Sequence, residues 1–181
     1  MSSQSENTNA PIRFVPYDAQ YPGMFDEESR RIAGLIRPAI SAIEHIGSTA
    51  VPDLGGKPII DIMIGLCVLD AAAKCIEPLE ELGYEYVPGF EAFFPERRFF
   101  RKGPPVCRTH HIHMVELTSD FWNRHIAFRD YLRTNDDSVR EYHLLKKGLA
   151  RRFKQDRDGY TDAKSAFIEN ILLIASSDMD R

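Results

Sequence analysis

No stretch of this 181-residue sequence approaches the roughly 18 consecutive apolar residues of a membrane-spanning helix, and the N-terminus is polar where a secretory leader is apolar. We therefore expect a cytoplasmic protein with no membrane partner. Cysteine is scarce: Cys67, Cys75 and Cys107 lack CxxC spacing, and an odd number leaves no closed disulfide framework. They read as reduced packing residues. Positive charge is not in excess, since 23 Lys and Arg against 27 Asp and Glu leave a formal net charge of −4. That balance opposes non-specific attraction to a polyanion, so nucleic acid is not the expected partner. An anionic small ligand would need a local cluster of Arg, Lys and backbone amides. The chain also has no Gly-x-x-x-x-Gly-Lys-Ser/Thr phosphate loop and no internal repeat.

The composition present, 43% hydrophobic and 28% charged, is that of a globular protein, and the length suits one domain. Met1–Asn9 is small, polar and aperiodic, the composition of a disordered terminus. Residues 10–181 then form the expected single domain, with a helical part from about 119. Ile12–Val15 reads as a short strand. From Pro22 to Ile43, Met24, Phe25, Ile32, Leu35, Ile36 and Ile40 recur at helical spacing, with Pro38 ending or kinking the helix. Ser41–Ile46 reads as a strand, and Pro58–Leu66 as a buried one. Val68–Leu82 has a helical pattern closed by Gly83. Tyr84–Val87, Arg98–Lys102 and Thr109–Leu117 complete a mixed or antiparallel sheet. After Ser119 we expect three helices, the last over Asp162–Ala175, with capping chemistry at Thr118-Ser119-Asp120, at Asn135–Ser138 and at Thr161–Asp162.

Asp61 is the anomaly of an otherwise apolar strand. A buried carboxylate needs a partner, a metal or a cleft. Alternation puts Asp61 on one face with Met63 and Gly65. The plainer reading is a salt bridge to one of the many arginines. Gly47-Ser48-Thr49 follows a strand, where converging amides can surround a phosphate, although such a tripeptide is commonly just a capped turn. Lys57, immediately before the Asp61 strand, can reach a phosphate near the carboxylate. His111 and His113 share a face of their strand and can act as acid/base groups or, with Asp61, as the ligands of a metal hydrolase. Glu116 lies on the opposite face. Arg97, Arg98, Arg101, Lys102 and Arg108 form a basic segment suited to phosphate or carboxylate recognition, of which Arg101 is the candidate ligand group.

The run EHIGSTAVPDLGGKPIIDIMIGL, Glu44–Leu66, resembles the signature segment of the GrpB family. HHIHMVEL at His110–Leu117, FRDYLR at Phe128–Arg133, EYHLLK at Glu141–Lys146 and the Tyr160–Lys164 segment extend the resemblance over nearly the whole chain. It implies an α/β (α+β) nucleotidyltransferase-like fold, a mixed β-sheet flanked by helices. In that fold a Gly-Ser turn holds nucleotide phosphates, and carboxylates on a following strand hold divalent metal. On this pattern Gly47, Ser48, Thr49, Lys57 and Arg101 bind a nucleoside triphosphate or other phosphorylated small molecule. Asp61 and Glu116 hold Mg2+, and Asp61, His111 and His113 are the catalytic candidates for nucleotidyl transfer to an acceptor. The sequence departs from the pattern at Met63, which stands where a second carboxylate belongs, and at Asp53, where the family has glycine. A thioether cannot replace a carboxylate for Mg2+. The alternative is therefore a non-catalytic binding or scaffold domain, related to the domain fused to dephospho-coenzyme A kinase.

Overall fold

A computed structural model of the chain describes residues 11–179, so the expectation of disorder for Met1–Asn9 lies outside the described residues. Five strands form one sheet: β1 (Ala42–Ile46), β2 (Ile60–Leu66), β3 (Tyr84–Tyr86), β4 (Arg97–Lys102) and β5 (His110–Glu116). Their order is β1-β2-β5-β4-β3, with β2 and β5 parallel and the other pairs antiparallel. β2 is buried at every position except Asp61, which is half-buried. This is why its sequence is apolar nearly throughout: both faces are covered. Ile60, Ile62, Ile64 and Leu66 pack on one face with Ile112, Met114 and Phe100. Met63 is on the other, with Ile46 and Val115.

The first face is covered by α1 (Tyr21–Ile36), whose Ile32 and Ile36 join Leu79 of α2 (Ile76–Glu81) over the sheet. Pro22 sits in the first turn of α1, where a missing N–H is harmless. Pro38 ends the helix as expected, in a short 3-10 turn over Arg37–Ala39. Two expectations change here. Ile12–Val15 is not a strand: only Val15 bridges, to Gly56. The helix expected over Val68–Leu82 is a 3-10 segment, Leu69–Cys75, followed by α2. Pro78 has no N–H for an α-type bond to Lys74, so α-geometry begins anew with Pro78 in the first turn of α2.

The second face lies under the C-terminal helices, which among the described residues number four rather than three: α3 (Asp120–Thr134), α4 (Asp136–Phe153), α5 (Arg157–Asp162) and α6 (Ser165–Met179). Of the expected Thr118-Ser119-Asp120 segment it is Ser119 that caps α3, its Oγ accepting from Trp122 N at 3.2 Å. The carboxylate of Asp156, rather than Thr161 or Asp162, caps a helix by accepting from Gly159 N at 2.9 Å. Asn135 makes no side-chain cap, and its amide instead donates back to Tyr131 O. Phe121, Trp122 and Ile126 of α3 press on Met63 and Val115. Arg129 fastens the same helix to β1, its Nη1 donating to Glu44 Oε2 at 2.6 Å and to His45 O at 3.0 Å. This is the fold class expected, a mixed sheet flanked by helices. Its C-terminal helices roof the face that carries Asp61.

Candidate active site

The parallel pairing of β2 with β5 sets Asp61 opposite His111 and Met63 opposite His113. The Asp61 carboxylate therefore lies between two imidazoles: Oδ1 is 3.2 Å from His111 Nδ1 and 3.8 Å from His113 Nε2. Burial alone would raise this carboxyl, but the hydrogen bonds and charges of the two histidines outweigh it and hold Asp61 well below the usual carboxylate range.

Proton positions follow from the partners. Arg97 Nη1 is 3.3 Å from His113 Nδ1, and a guanidinium can only donate. A neutral His113 thus carries its proton on Nε2, facing Asp61. Neutrality is favoured because burial pushes His113 down to about 4. At His111 the acceptor-only carboxylate takes the Nδ1 proton, and the lone pair of a neutral ring then lies on Nε2. That atom is buried and without a hydrogen-bond partner among the described residues. Arg97 itself is wedged among aromatic rings, its guanidinium 4.5 Å from the Phe94 centroid and 5.5 Å from that of Phe99.

Gly47 approaches this carboxylate from the end of β1. Its backbone has φ 71 and ψ −168, and a Cβ there would stand 2.3 Å from Asp61 Oδ2. Ser48 turns into the cleft, and its Oγ accepts from Lys146 Nζ at 2.7 Å. Thr49 turns away from it. Its hydroxyl donates to Ile59 O at 3.1 Å, so His45 Nε2, 2.9 Å away, is the donor to Thr49 Oγ1. Burial, opposed by the charge of Asp61, pushes His45 down to about 4 from 6.5. Between those values the unfolded chain binds more protons than the folded one, so stability falls as pH drops through that window. We expect a loss on the order of 3 kcal/mol from His45. Urea unfolding across the window checks this, and the slope should shrink in His45→Gln.

Lys146 comes from α4 and is 2% exposed. Burial, then the charge of Lys164, lowers it to about 7 from 10.5. Lys164, in the break between α5 and α6, is lowered to about 8 by burial and by Lys57, against the opposing charge of Asp61. Lys57 and Lys164 lie 5.4 and 4.5 Å from the ring centroid of Tyr160. With Ser48, Asp61, Arg97, His111, His113 and His125, these lysines line a cleft of about 720 Å³, whose other walls are Phe90, Phe94, Phe99 and Phe128.

The structure brings together six residues expected from sequence: Gly47, Ser48, Lys57, Asp61, His111 and His113. Three others it places elsewhere. Thr49 is spent on His45 and Ile59. Arg101 is held by Glu85, with Nε to Oε2 at 2.9 Å and Nη2 to Oε1 at 2.6 Å. Glu116 lies on the opposite sheet face, where its Oε1 accepts from Leu69 N at 2.9 Å and stabilises the start of the 3-10 segment. Lys146, Lys164 and His125 were not singled out from sequence. Lys146 had a signal: Val139, Tyr142, Lys146 and Leu149 form the buried stripe of α4, and a lysine in such a stripe needs an explanation.

The donor set does not fit the metal arrangement implied by the resemblance. Ligand atoms of Asp61, His111 and His113 lie within 4.8 Å of one another. Mg2+, however, takes oxygen ligands, and Asp61 supplies the only carboxylate of that group. Met63, at the second position, is 0% exposed beneath α3, where a carboxylate would be desolvated. A transition metal meets another obstacle. A ligating histidine offers a lone pair to the metal and donates its other N–H to an acceptor. The Arg97 donor at His113 Nδ1 imposes the reverse tautomer.

A family model described as GrpB protein matches residues 11–173. The glutamate-rich protein GrpB of Alkalihalophilus pseudofirmus is 35% identical over 167 residues, covering 89% of this chain and 94% of that protein. YqkA of Bacillus subtilis is 37% identical over 158 residues, which is 87% of this chain but 45% of YqkA, so the chain spans less than half of that relative. A crystal structure of conserved protein GrpB from Enterococcus faecalis superposes with a TM-score of 0.82 at 34% identity, over 93% of this chain and 100% of that one. Similarity also extends to a protein named dephospho-CoA kinase in Mycolicibacterium paratuberculosis, 26% identical over 93% of this chain and 47% of the kinase, in line with the expected fusion.

Proposed function

The chain belongs to the GrpB family, and from that premise we propose that its cleft binds a phosphorylated small molecule of the nucleoside triphosphate class. One observation carries this reading. Ser48 and Lys146 meet at 2.7 Å on the wall of a cleft of about 720 Å³ that Lys57 and Lys164 also line. Phosphate oxygens suit that corner because each accepts from ammonium and hydroxyl groups. Phe90, Phe94 and Phe99, on the aromatic side of the cleft, suit a base. The volume lies within the roughly 300–1,000 Å³ of small-molecule pockets.

Mg2+-dependent nucleotidyl transfer to an acceptor is the second reading. The close approach of Gly47 to Asp61 favours it, because the Gly-Ser turn and the carboxylate stand in the order and proximity that transfer chemistry uses. Calorimetric titration of ATP, CTP, GTP and UTP, with wild type and with Asp61→Ala, separates the two. Binding that survives loss of Asp61, with no pyrophosphate released in the presence of candidate acceptors, is the expected result. Pyrophosphate release that requires Asp61 would establish transfer instead. Failure of all four nucleotides to bind would reject both readings.

A further inference from the structure

Resting on that reading, we propose that Lys57, Lys146 and Lys164 neutralise the ligand's phosphate charge in place of divalent metal, so that the cleft takes its phosphorylated ligand as the metal-free anion. Two independent observations converge on this. The first is the shortage of oxygen donors beside Asp61: Met63 is sealed under α3, Glu116 is on the far face, and Glu169, the other carboxylate lining the cleft, is paired with Arg124. The second is the character of the cations. Lys146 and Lys164 line the cleft, yet neither forms an ion pair with a carboxylate among the described residues. Lys146 donates to the Ser48 hydroxyl and lies 4.7 Å from the Tyr142 centroid; Lys164 lies over Tyr160.

Buried ammonium groups that repel one another are unfavourable unless an anion joins them. A phosphate chain bridging Ser48, Lys146 and Lys164 removes that repulsion, and Lys57 faces the same space. Mg2+ already bound to the phosphates would take the oxygens the lysines need and bring a like charge among them. Filling the seat also draws protons. Lys146 and Lys164 are lowered to about 7 and about 8, and an arriving anion raises both. The groups facing them are Ser48, Tyr142, Tyr160, Lys57 and, from β2, the Asp61 carboxylate.

The test is isothermal titration of the wild-type chain with ATP, and with inorganic tripolyphosphate as a nucleoside-free probe. Each is run with chelator and with saturating Mg2+, near neutral pH, in two buffers of different ionisation enthalpy. We expect binding at least about tenfold tighter with chelator, and a heat that changes with buffer in the sense of proton uptake. The Lys164→Gln variant, its folding checked by circular dichroism, should lose most of the preference for the metal-free ligand. Binding only in the presence of Mg2+ would overturn the inference while leaving the nucleotide reading in place. Absence of binding under both conditions would overturn the two together.

Discussion

Replacing Lys146 by methionine is expected to weaken ATP binding severely while leaving the fold as stable as before, or more so. The side chain is 2% exposed in the apolar stripe of α4, and its ammonium faces Lys164 with no carboxylate partner among the described residues. Methionine keeps the length and removes a desolvated charge. Such exchanges are neutral or stabilising, here by about 1 kcal/mol. The ligand loses a charge-assisted hydrogen bond worth about 1.5–3 kcal/mol, a weakening of roughly 10- to 150-fold. The pH dependence of stability supplies a separate check. The folded-state value of Lys146 is depressed from 10.5 to about 7. Between those values the unfolded chain holds more protons, so wild-type stability rises with pH across that window. Lys164, depressed to about 8, contributes in the same direction and remains in the variant. Denaturant unfolding at several pH values should therefore show a reduced slope in Lys146→Met, not a flat line. A large drop in midpoint at neutral pH would mean that Lys146 holds the fold together and would undo the assignment.

Gly47→Ala is expected to cost stability and to dismantle the carboxylate at once. The backbone at Gly47, φ 71 and ψ −168, lies in a region open essentially to glycine alone. Forcing another residue into it costs about 1–3 kcal/mol. The new Cβ would also stand 2.3 Å from Asp61 Oδ2, a distance no structure tolerates, so either the turn or the carboxylate must move. If Asp61 moves, His111 loses the acceptor for its Nδ1 proton and His113 the charge facing its Nε2. Thermal melting reads the first effect, and NMR titration of His113 reads the second, as a fall in the value that Asp61 now supports. Retention of wild-type melting and an unchanged His113 titration would show that the turn is adaptable and its contact with Asp61 incidental.

Much of this site was legible in particular residues. A lone aspartate in PIIDIMIGL marked the inward strand and the face of interest, and period-two alternation put His111 and His113 on one side of theirs. The same alternation correctly separated Glu116 from them. Pro38 marked the end of α1. Other signals were overridden. The apolar pattern of Val68–Leu82 reads as one helix, yet Pro78 interrupts its hydrogen-bond ladder and its first half is 3-10. The pattern of the last helix gave no warning of the break before Ser165 that carries Lys164 into the cleft. Thr49 and Arg101 were credible ligands by type and position. Each was taken by a nearer partner, the Ile59 carbonyl with His45 in one case and Glu85 in the other.

Sequence by itself determined the family, the mixed sheet flanked by helices, and the faces on which Asp61 and the histidines stand. Those follow from local periodicity and from motifs contained in single runs of chain. Only the tertiary structure decided that β2 and β5 lie side by side and parallel, which brings Asp61 to His111 across 50 residues. It alone decided that Lys146 meets Ser48 across 98. Such meetings depend on the path of the whole chain, because residue type sets what a side chain can do but packing sets which partner lies within hydrogen-bond reach.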